Sequence, residues 1–171
     1  GMSGKALQQW IGGYYETGWS INPHWVAKSK LNPKHPVTRG VSEFSLKDEW
    51  YFNMRFREGR NGVTSILDAV PDDVARSGKS SWPRGPKKHI VEASGRSETL
   101  CWSVDREDGG RGVGFTGGHF HKNFEDDGYR KLVLNAVAWS AGLEIPEKGL
   151  VSHRPDEAEL DANQDYPKPG A

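Results

Sequence analysis

The sequence is poor in three features that would each point to a particular class of protein. It has one cysteine, Cys101, which excludes an internal disulfide framework and a cysteine-rich zinc site. It has no excess of either charge, with 23 basic and 23 acidic residues, which argues against a nucleic-acid-binding module. Its mean hydropathy is -0.75 and no apolar run has membrane-spanning length, so a membrane is not an expected partner. The charge balance likewise means that nucleic acid is not an expected partner.

Hydrophobic residues are also scarce, at 35% of the 171 residues, whereas glycine and proline are frequent, with 21 and 10 residues. Seven tryptophans partly compensate, because each large ring can bury much apolar area. We therefore expect one loop-rich domain whose core is built on aromatic side chains. The start of the sequence shows no charged and apolar export signal, and the cytoplasm and the periplasm both stay open as compartments.

Alternating hydrophobicity predicts the strands. The longest alternation runs over 44–56, with apolar residues at even positions and polar residues at odd ones. Shorter patterns predict strands over 63–67, 89–93, 100–104 and 112–116. The predicted fold class is α/β or α+β, with a mixed sheet of roughly five strands and a helix near each end of the chain.

Two segments have apolar residues at helical spacing. A short helix is predicted over 5–11, and a longer one begins after Asp126 or Asp127 and ends near Ser140. Gly142 follows where a helix commonly ends in a left-handed residue. Residues 151–171 are mostly polar and are predicted to form a weakly ordered tail.

The loop between the last predicted strand and this helix carries the strongest candidate site, Gly117-Gly118-His119-Phe120-His121. Ligands of α/β sheets bind in loops that lead from strand ends into helices. His119 and His121 supply imidazoles, which suit proton transfer near neutral pH or metal binding. Alternatively, they only hold the turn by hydrogen bonds. A metal needs a third ligand, and the spacing does not choose among His24, Asp48 and Glu49, so no metal is predicted.

Two further groups of residues suit carbohydrate binding. Glu49, Tyr51, Asn53 and Arg55 would share the polar face of the long strand, where they could bind sugar hydroxyls or simply form a solvated face. Asp48 interrupts the apolar side of that strand, so it must be paired or mark an irregularity. An aromatic stretch follows the first helix, and its rings either stack on sugars or fill the core. We favour a core position for Trp25 and leave the role of Trp19 open.

No motif for an activated nucleophile is present. Cys101 lies within a predicted strand and not in a sharp turn, and the sequence has neither a Gly-x-Ser-x-Gly elbow nor a phosphate-binding loop. A thiol nucleophile is therefore not expected.

Four segments occur in an order that resembles the trehalose-utilisation (ThuA-like) family. They are His35-Pro36-Val37-Thr38-Arg39-Gly40, Asp48-Glu49-Trp50-Tyr51, the segment from Gly109 to His119, and a helix that ends in Ala138-Trp139. The resemblance covers about residues 7–150. It implies a flavodoxin-like α/β fold similar to class I glutamine amidotransferases, without their catalytic cysteine.

The resemblance also implies a role in bacterial use of disaccharides, especially trehalose and keto-sugar derivatives, with a small carbohydrate as partner and no cofactor. The histidine that corresponds to His119 falls near the catalytic histidine of the amidotransferase fold, so His119 is the first catalytic candidate and Glu49 the second. The substrate-binding candidates are Tyr51, Arg55, Trp19, His24, Gly118 and His121. A hydrolase with histidine acid–base chemistry, a non-catalytic carbohydrate-binding or assembly module, and a metal-assisted hydrolase using His119 and His121 all stay open, and so does whether the chain is an enzyme.

One departure from the family concerns the start of the chain. Members normally have several strand–helix units before a segment like Gln8-Gln9-Trp10-Ile11-Gly12-Gly13, and no such units precede it here. Either the start of the chain has been assigned too late, or the chain is a fragment, or a partner chain supplies the missing edge. We therefore expect a fold truncated at its N-terminus, with a ThuA-like domain over 5–150 and the tail over 151–171. Such a chain would expose an unpaired sheet edge and self-associate through it.

Overall fold

The structure is a computed structural model that describes residues 2–162. The strands of this part are β1 (Gly13–Tyr14), β2 (Trp25–Lys28), β3 (Lys30–Leu31), β4 (Ser45–Asp48), β5 (Arg55–Phe56), β6 (Val63–Ala69), β7 (Glu98–Asp105) and β8 (Arg111–Phe115). The helices are α1 (Met2–Ile11), α2 (Asp73–Arg76), α3 (Lys88–Val91), α4 (Asp127–Ser140) and α5 (Glu157–Asp161). The fold is therefore α/β, as predicted.

The largest sheet has four strands in the order β3-β6-β7-β8, and small two-stranded sheets join β1 to β5 and β2 to β4. A mixed sheet was predicted, whereas every strand pair within residues 2–162 is antiparallel. The tight turn between β7 and β8 allows only an antiparallel pair, since a parallel pair needs a long crossover.

The predicted strands over 63–67, 100–104 and 112–116 are confirmed as β6, β7 and β8. The prediction of a single long strand over 44–56 is wrong, because β4 ends at Asp48 and β5 begins only at Arg55. Between them the chain bends so that Trp50 and Phe52 are both fully buried, and Asn53 has a positive φ of 55°. The alternation therefore reflects burial of the even positions along an irregular segment.

The strand predicted over 89–93 is also wrong. This segment forms the short helix α3, whose Ile90 is buried while Val91 remains 45% exposed. A single buried residue in a short apolar run fits a helical turn as well as a strand, so the pattern could not distinguish them.

Both predicted helices are present. The long helix is α4, and the Asp126 side chain caps it by accepting a hydrogen bond from the Tyr129 N–H at 2.9 Å. In the predicted tail, Glu157–Asp161 forms α5, which begins with a reciprocal capping box between Asp156 and Glu159. The remainder of that prediction, residues 163–171, lies outside the described residues.

The core is aromatic, as the composition predicts. Trp50 contacts the edges of Phe115 and Tyr129, with ring centroids 5.7 and 5.9 Å apart. Trp25 is 5% exposed and donates its indole N–H to the Trp50 carbonyl at 2.9 Å, which confirms that it belongs to the core. Edge-to-face ring pairs add specific attraction to the area they bury.

Two properties of the surface bear on partners. None of the helices within residues 2–162 is long and apolar enough to cross a membrane. β3 and β8 are the edges of the four-stranded sheet, and the backbone of Trp10 and Ile11 at the end of α1 lies close against Gly112 of β8. Self-association through a sheet edge stays a prediction, to be tested by light scattering.

Candidate functional site

A buried carboxylate, Asp48, organises the site. It lies at the end of β4 with no exposed surface. Its Oδ1 accepts hydrogen bonds from the backbone N–H groups of Glu49, His119 and Phe120 at 2.8, 3.0 and 3.2 Å. Its Oδ2 accepts from the Gly118 N–H, the Asn123 amide and the Tyr129 hydroxyl at 3.0, 2.9 and 3.0 Å. Six donors therefore surround one carboxylate, as the interrupted apolar pattern required.

These hydrogen bonds determine the charge of Asp48. Burial alone would raise the pKa of this carboxyl, but the Gly118 N–H, the Asn123 amide and the other donors together lower the pKa. Burial, and next the nearby charge of Asp48, raise the pKa of Tyr129 above its usual range. Asp48 is therefore an anion that fixes the loop over 118–120.

The anchored loop brings His119 to Glu49. The Nδ1 atom of His119 is 2.9 Å from Oε2 of Glu49, and the side chains are 50% and 15% exposed. Because Asp48 binds the backbone of both residues, their positions are fixed by the same carboxylate. The two catalytic candidates of the sequence analysis are thus in contact.

Three other polar groups surround Glu49. Asn22 donates its amide to Oε1 at 2.8 Å, and the Tyr51 hydroxyl donates to Oε2 at 3.3 Å. His24, which is exposed, lies beside His119 with ring centroids 5.2 Å apart. Donor atoms of His24, Glu49 and His119 all lie within 4.8 Å of one another. The structure therefore places three of the sequence candidates around one carboxylate.

A cavity of about 340 Å³ opens beside this cluster, and His119, Glu49 and Tyr51 line it together with Tyr14, Tyr15 and Thr116. This volume is at the lower end of the range for small-molecule sites. The rings of Tyr15 and Tyr51 meet edge to face at 5.4 Å. Burial, and next the charge of Glu49, raise the pKa of both phenols, so each remains a neutral hydrogen-bond donor.

Trp19 and Arg55 lie elsewhere. Trp19 stacks on His89 with ring centroids 4.7 Å apart, and the Arg55 guanidinium covers the Trp19 ring at 3.6 Å. Arg55 also forms an ion pair with Glu16. Since the strand is broken after Asp48, Arg55 does not share a face with Glu49, and neither Trp19 nor Arg55 lines the cavity.

Gly118 and His121 complete the predicted set. Gly118 has a φ of 103°, a backbone conformation that favours glycine, and its N–H binds Asp48. It therefore shapes the loop. His121 is exposed, lies 5.9 Å from the Phe124 ring, and is neither in the histidine–carboxylate cluster nor in the cavity lining.

Sequence reasoning missed Asn22 as a partner of Glu49 and Tyr15 as a wall of the cavity. The segment that contains both had been singled out for its aromatic rings, but no local spacing reveals that it reaches Glu49. Cys101, by contrast, is fully buried, and burial raises the pKa of its thiol, which makes it a poor nucleophile.

A second cavity lies on the other side of β8. We call it the apolar groove; it has a volume of about 380 Å³ and is lined mainly by Ile11, Val113, Phe115, Leu132, Val133 and Val137. Arg106, Arg111 and Ser140 supply its polar groups. No histidine or carboxylate within residues 2–162 lines it.

Comparison with known proteins gives one match. The model of a family described as ThuA, trehalose utilisation, matches residues 3–140 of the 171. The chain belongs to the ThuA family. The match spans α1, the whole four-stranded sheet, the Asp48-anchored loop and α4, so the site described above lies within the ThuA region. No curated protein and no solved structure matches the chain.

Proposed function

We propose that this ThuA-family chain hydrolyses the glycosidic bond of a small disaccharide or keto-sugar glycoside, with His119 as the acid–base group. The observation that carries the proposal is the 2.9 Å contact between His119 Nδ1 and Glu49 Oε2 at the wall of the cavity. A trehalose-utilisation family supports a carbohydrate as the ligand.

The contact with Glu49 sets the tautomer of His119. A carboxylate accepts hydrogen bonds, so Nδ1 carries the proton and Nε2 keeps its lone pair. Nε2 has no hydrogen-bond partner among residues 2–162 and is free to take a proton. Glu49 also stabilises the imidazolium that forms when it does so.

The walls of the cavity suit a sugar. Tyr14, Tyr15 and Tyr51 offer ring faces and hydroxyls, and Glu49 offers a carboxylate with an exposed fraction of 15%. Sites for small polar ligands commonly combine aromatic walls with a few fixed polar groups. Among the candidates from the sequence, Tyr51 is the one whose position fits a sugar-binding role.

The chemical step transfers one proton through His119. His119 Nε2 removes a proton from a water molecule, and the water oxygen bonds to the anomeric carbon as the glycosidic C–O bond breaks. The departing sugar oxygen then takes the proton from His119, which restores the neutral imidazole. Glu49 is the one carboxylate among the described residues that line the cavity, so the step differs from the two-carboxylate mechanism of most glycosidases.

The test is the kinetics of His119→Ala on a panel of trehalose, other disaccharides and their keto derivatives. We expect kcat to fall by about 10²–10⁴-fold, the usual contribution of a general acid–base. The control is His153→Ala, because His153 is 74% exposed and pairs with Glu159 outside the cavity. Unchanged turnover in His119→Ala would refute the proposal. Sugars that raise the Tm of the protein without any turnover would favour a non-catalytic binding module.

A further inference from the structure

We propose that His24, Glu49 and His119 form a binding site for one divalent transition-metal ion of the zinc class. The inference goes beyond the proposed hydrolysis and does not depend on it. Two imidazoles and one carboxylate, with a fourth position open to a cavity, form a ligand set typical of catalytic zinc. The three side chains come from segments 25 and 70 residues apart in the sequence, and the fold alone brings them together.

The distances suit one ion after a small adjustment. The donor atoms all lie within 4.8 Å of one another, and His119 Nδ1 is already 2.9 Å from Glu49 Oε2. Ligands that are each about 2.0–2.2 Å from zinc lie roughly 3–4 Å apart, so His24 needs to approach by about 1 Å. His24 is exposed and lies at the surface just before β2, where its ring can rotate.

Supporting contacts hold the central ligand. Asn22 binds Oε1 of Glu49 at 2.8 Å, and Tyr51 binds Oε2 at 3.3 Å. The backbone of His119 is held by Asp48 at 3.0 Å. Hydrogen bonds of this kind around the ligands of a metal fix their orientation and raise affinity.

The charge of the cluster also favours a cation. Glu49 is mostly buried, and within residues 2–162 its carboxylate contacts His119 and pairs with no lysine or arginine. A partly buried carboxylate without such a partner leaves a negative charge that a divalent ion would offset. Nitrogen donors select zinc-class metals over Mg²⁺ and Ca²⁺, which prefer oxygen.

If an ion were bound, His119 would serve as a ligand and not as a base, and the ion would supply an activated water as the nucleophile. The metal-free acid–base pair and the metal-bound centre are two states of the same cluster. Metal binding is therefore measured without substrate, so that its outcome is independent of the hydrolysis test.

The experiment is calorimetric titration of chelator-treated protein with Zn²⁺ alone. We expect one equivalent to bind, and we expect His24→Ala and Glu49→Gln each to weaken the affinity by at least about 100-fold, since loss of even a supporting contact costs about 10–100-fold. The matched control is His121→Ala, a histidine of the same loop outside the cluster, which should bind Zn²⁺ as the unaltered protein does. Mg²⁺ should give no saturable signal.

Thermal unfolding supplies a second readout. Zn²⁺ should raise the Tm of the unaltered protein and of His121→Ala but not that of His24→Ala, whose exposed side chain can be removed without disturbing the core. The absence of saturable Zn²⁺ binding would overturn the proposal. It would also be overturned by binding that survives both His24→Ala and Glu49→Gln, or that His121→Ala abolishes.

Discussion

The cavity beside His119 and the apolar groove have similar volumes, about 340 and 380 Å³, and opposite chemistry. The cavity beside His119 contains a carboxylate, an imidazole and three phenols, whereas the apolar groove is lined mainly by aliphatic side chains. Volume alone therefore does not show which of the two is a reaction site. The difference lies in the groups that can exchange protons or bind polar ligands.

The two regions also differ in how they are built. Buried charges support both ends of the segment that carries Glu49 and Tyr51: Asp48 at one end, and Glu98 at the other, where its Oε2 accepts the Asn53 N–H at 3.2 Å. Glu98 in turn pairs with Arg76, which is 1% exposed. The groove is formed by packing of α4 against β8. Burying charged side chains such as Asp48 and Glu98 costs free energy. Their presence beside the first cavity therefore indicates that the polar groups there are held in fixed positions.

The largest expected effect comes from Asp48→Asn. An amide cannot accept all the hydrogen bonds that the carboxylate accepts, and its NH₂ group would face other donors. We expect the free energy of unfolding to fall by about 3 kcal/mol or more. Urea denaturation measures the loss, and limited proteolysis over 117–121 shows whether the loop has opened.

The matched control for Asp48 is Asp127→Asn in the first turn of α4. The Asp127 side chain is 71% exposed and pairs with Arg130, so its change should cost no more than about 1 kcal/mol, the upper range for such an ion pair. Equal effects of the two substitutions would show that the cavity is not built on Asp48.

A smaller effect is expected from His35, the buried histidine on the α4 side of the sheet. Its Nδ1 accepts the Val37 N–H at 3.2 Å, its Nε2 contacts the Ser103 hydroxyl at 2.9 Å, and its ring packs on Trp139. Burial lowers the pKa of His35, and the charge of Arg111 acts in the same direction while Asp105 opposes it.

The sign of the pH dependence follows from that lowered pKa. Below about pH 6.5 the unfolded chain protonates this histidine before the folded protein does. The stabilisation is complete above about pH 6.5 and is lost as the pH falls toward the lower folded pKa. His35→Asn retains an acceptor for the Val37 N–H and should flatten the dependence between about pH 7.5 and 5.5 in urea denaturation. An equally steep dependence in both proteins would contradict this role.

The smallest effect is expected from Val137→Asp in the apolar groove. Val137 is 62% exposed, so the substitution should change the free energy of unfolding by no more than about 0.5 kcal/mol. It should also leave sugar turnover unchanged, because Val137 lines the groove and not the His119 cavity. A loss of turnover in Val137→Asp with intact stability would move the functional region to the groove.

Local patterns in the sequence were sufficient for elements with regular burial. β7 and α4 repeat their apolar residues at the period of their own geometry, and the capping of α4 by Asp126 follows from a local hydrogen bond. Such patterns could not predict the irregular elements. The alternation over 44–56 continues through a bend, because burial of Trp50 and Phe52 depends on what packs around them.

The candidate site shows the same limit. His119 was selected because of its glycine-rich loop and the family resemblance. Glu49 was selected because of its polar neighbours. Their contact was not visible, since it depends on Asp48 binding two segments about 70 residues apart in the chain. Asp48 was recognised as a charge that needed a partner, but not as the group that joins the two segments. The position of His24 beside them is likewise a product of tertiary packing.

The most direct test of the account is nuclear magnetic resonance of the histidine rings during titration with the sugar panel. A sugar that binds is expected to shift the ring signal of His119, which lines the cavity, and that of His24, whose ring lies 5.2 Å from it, and to leave those of His35 and His153 in place. A binding sugar that moved the indole signal of Trp10 in the apolar groove, with the His119 ring unchanged, would contradict it.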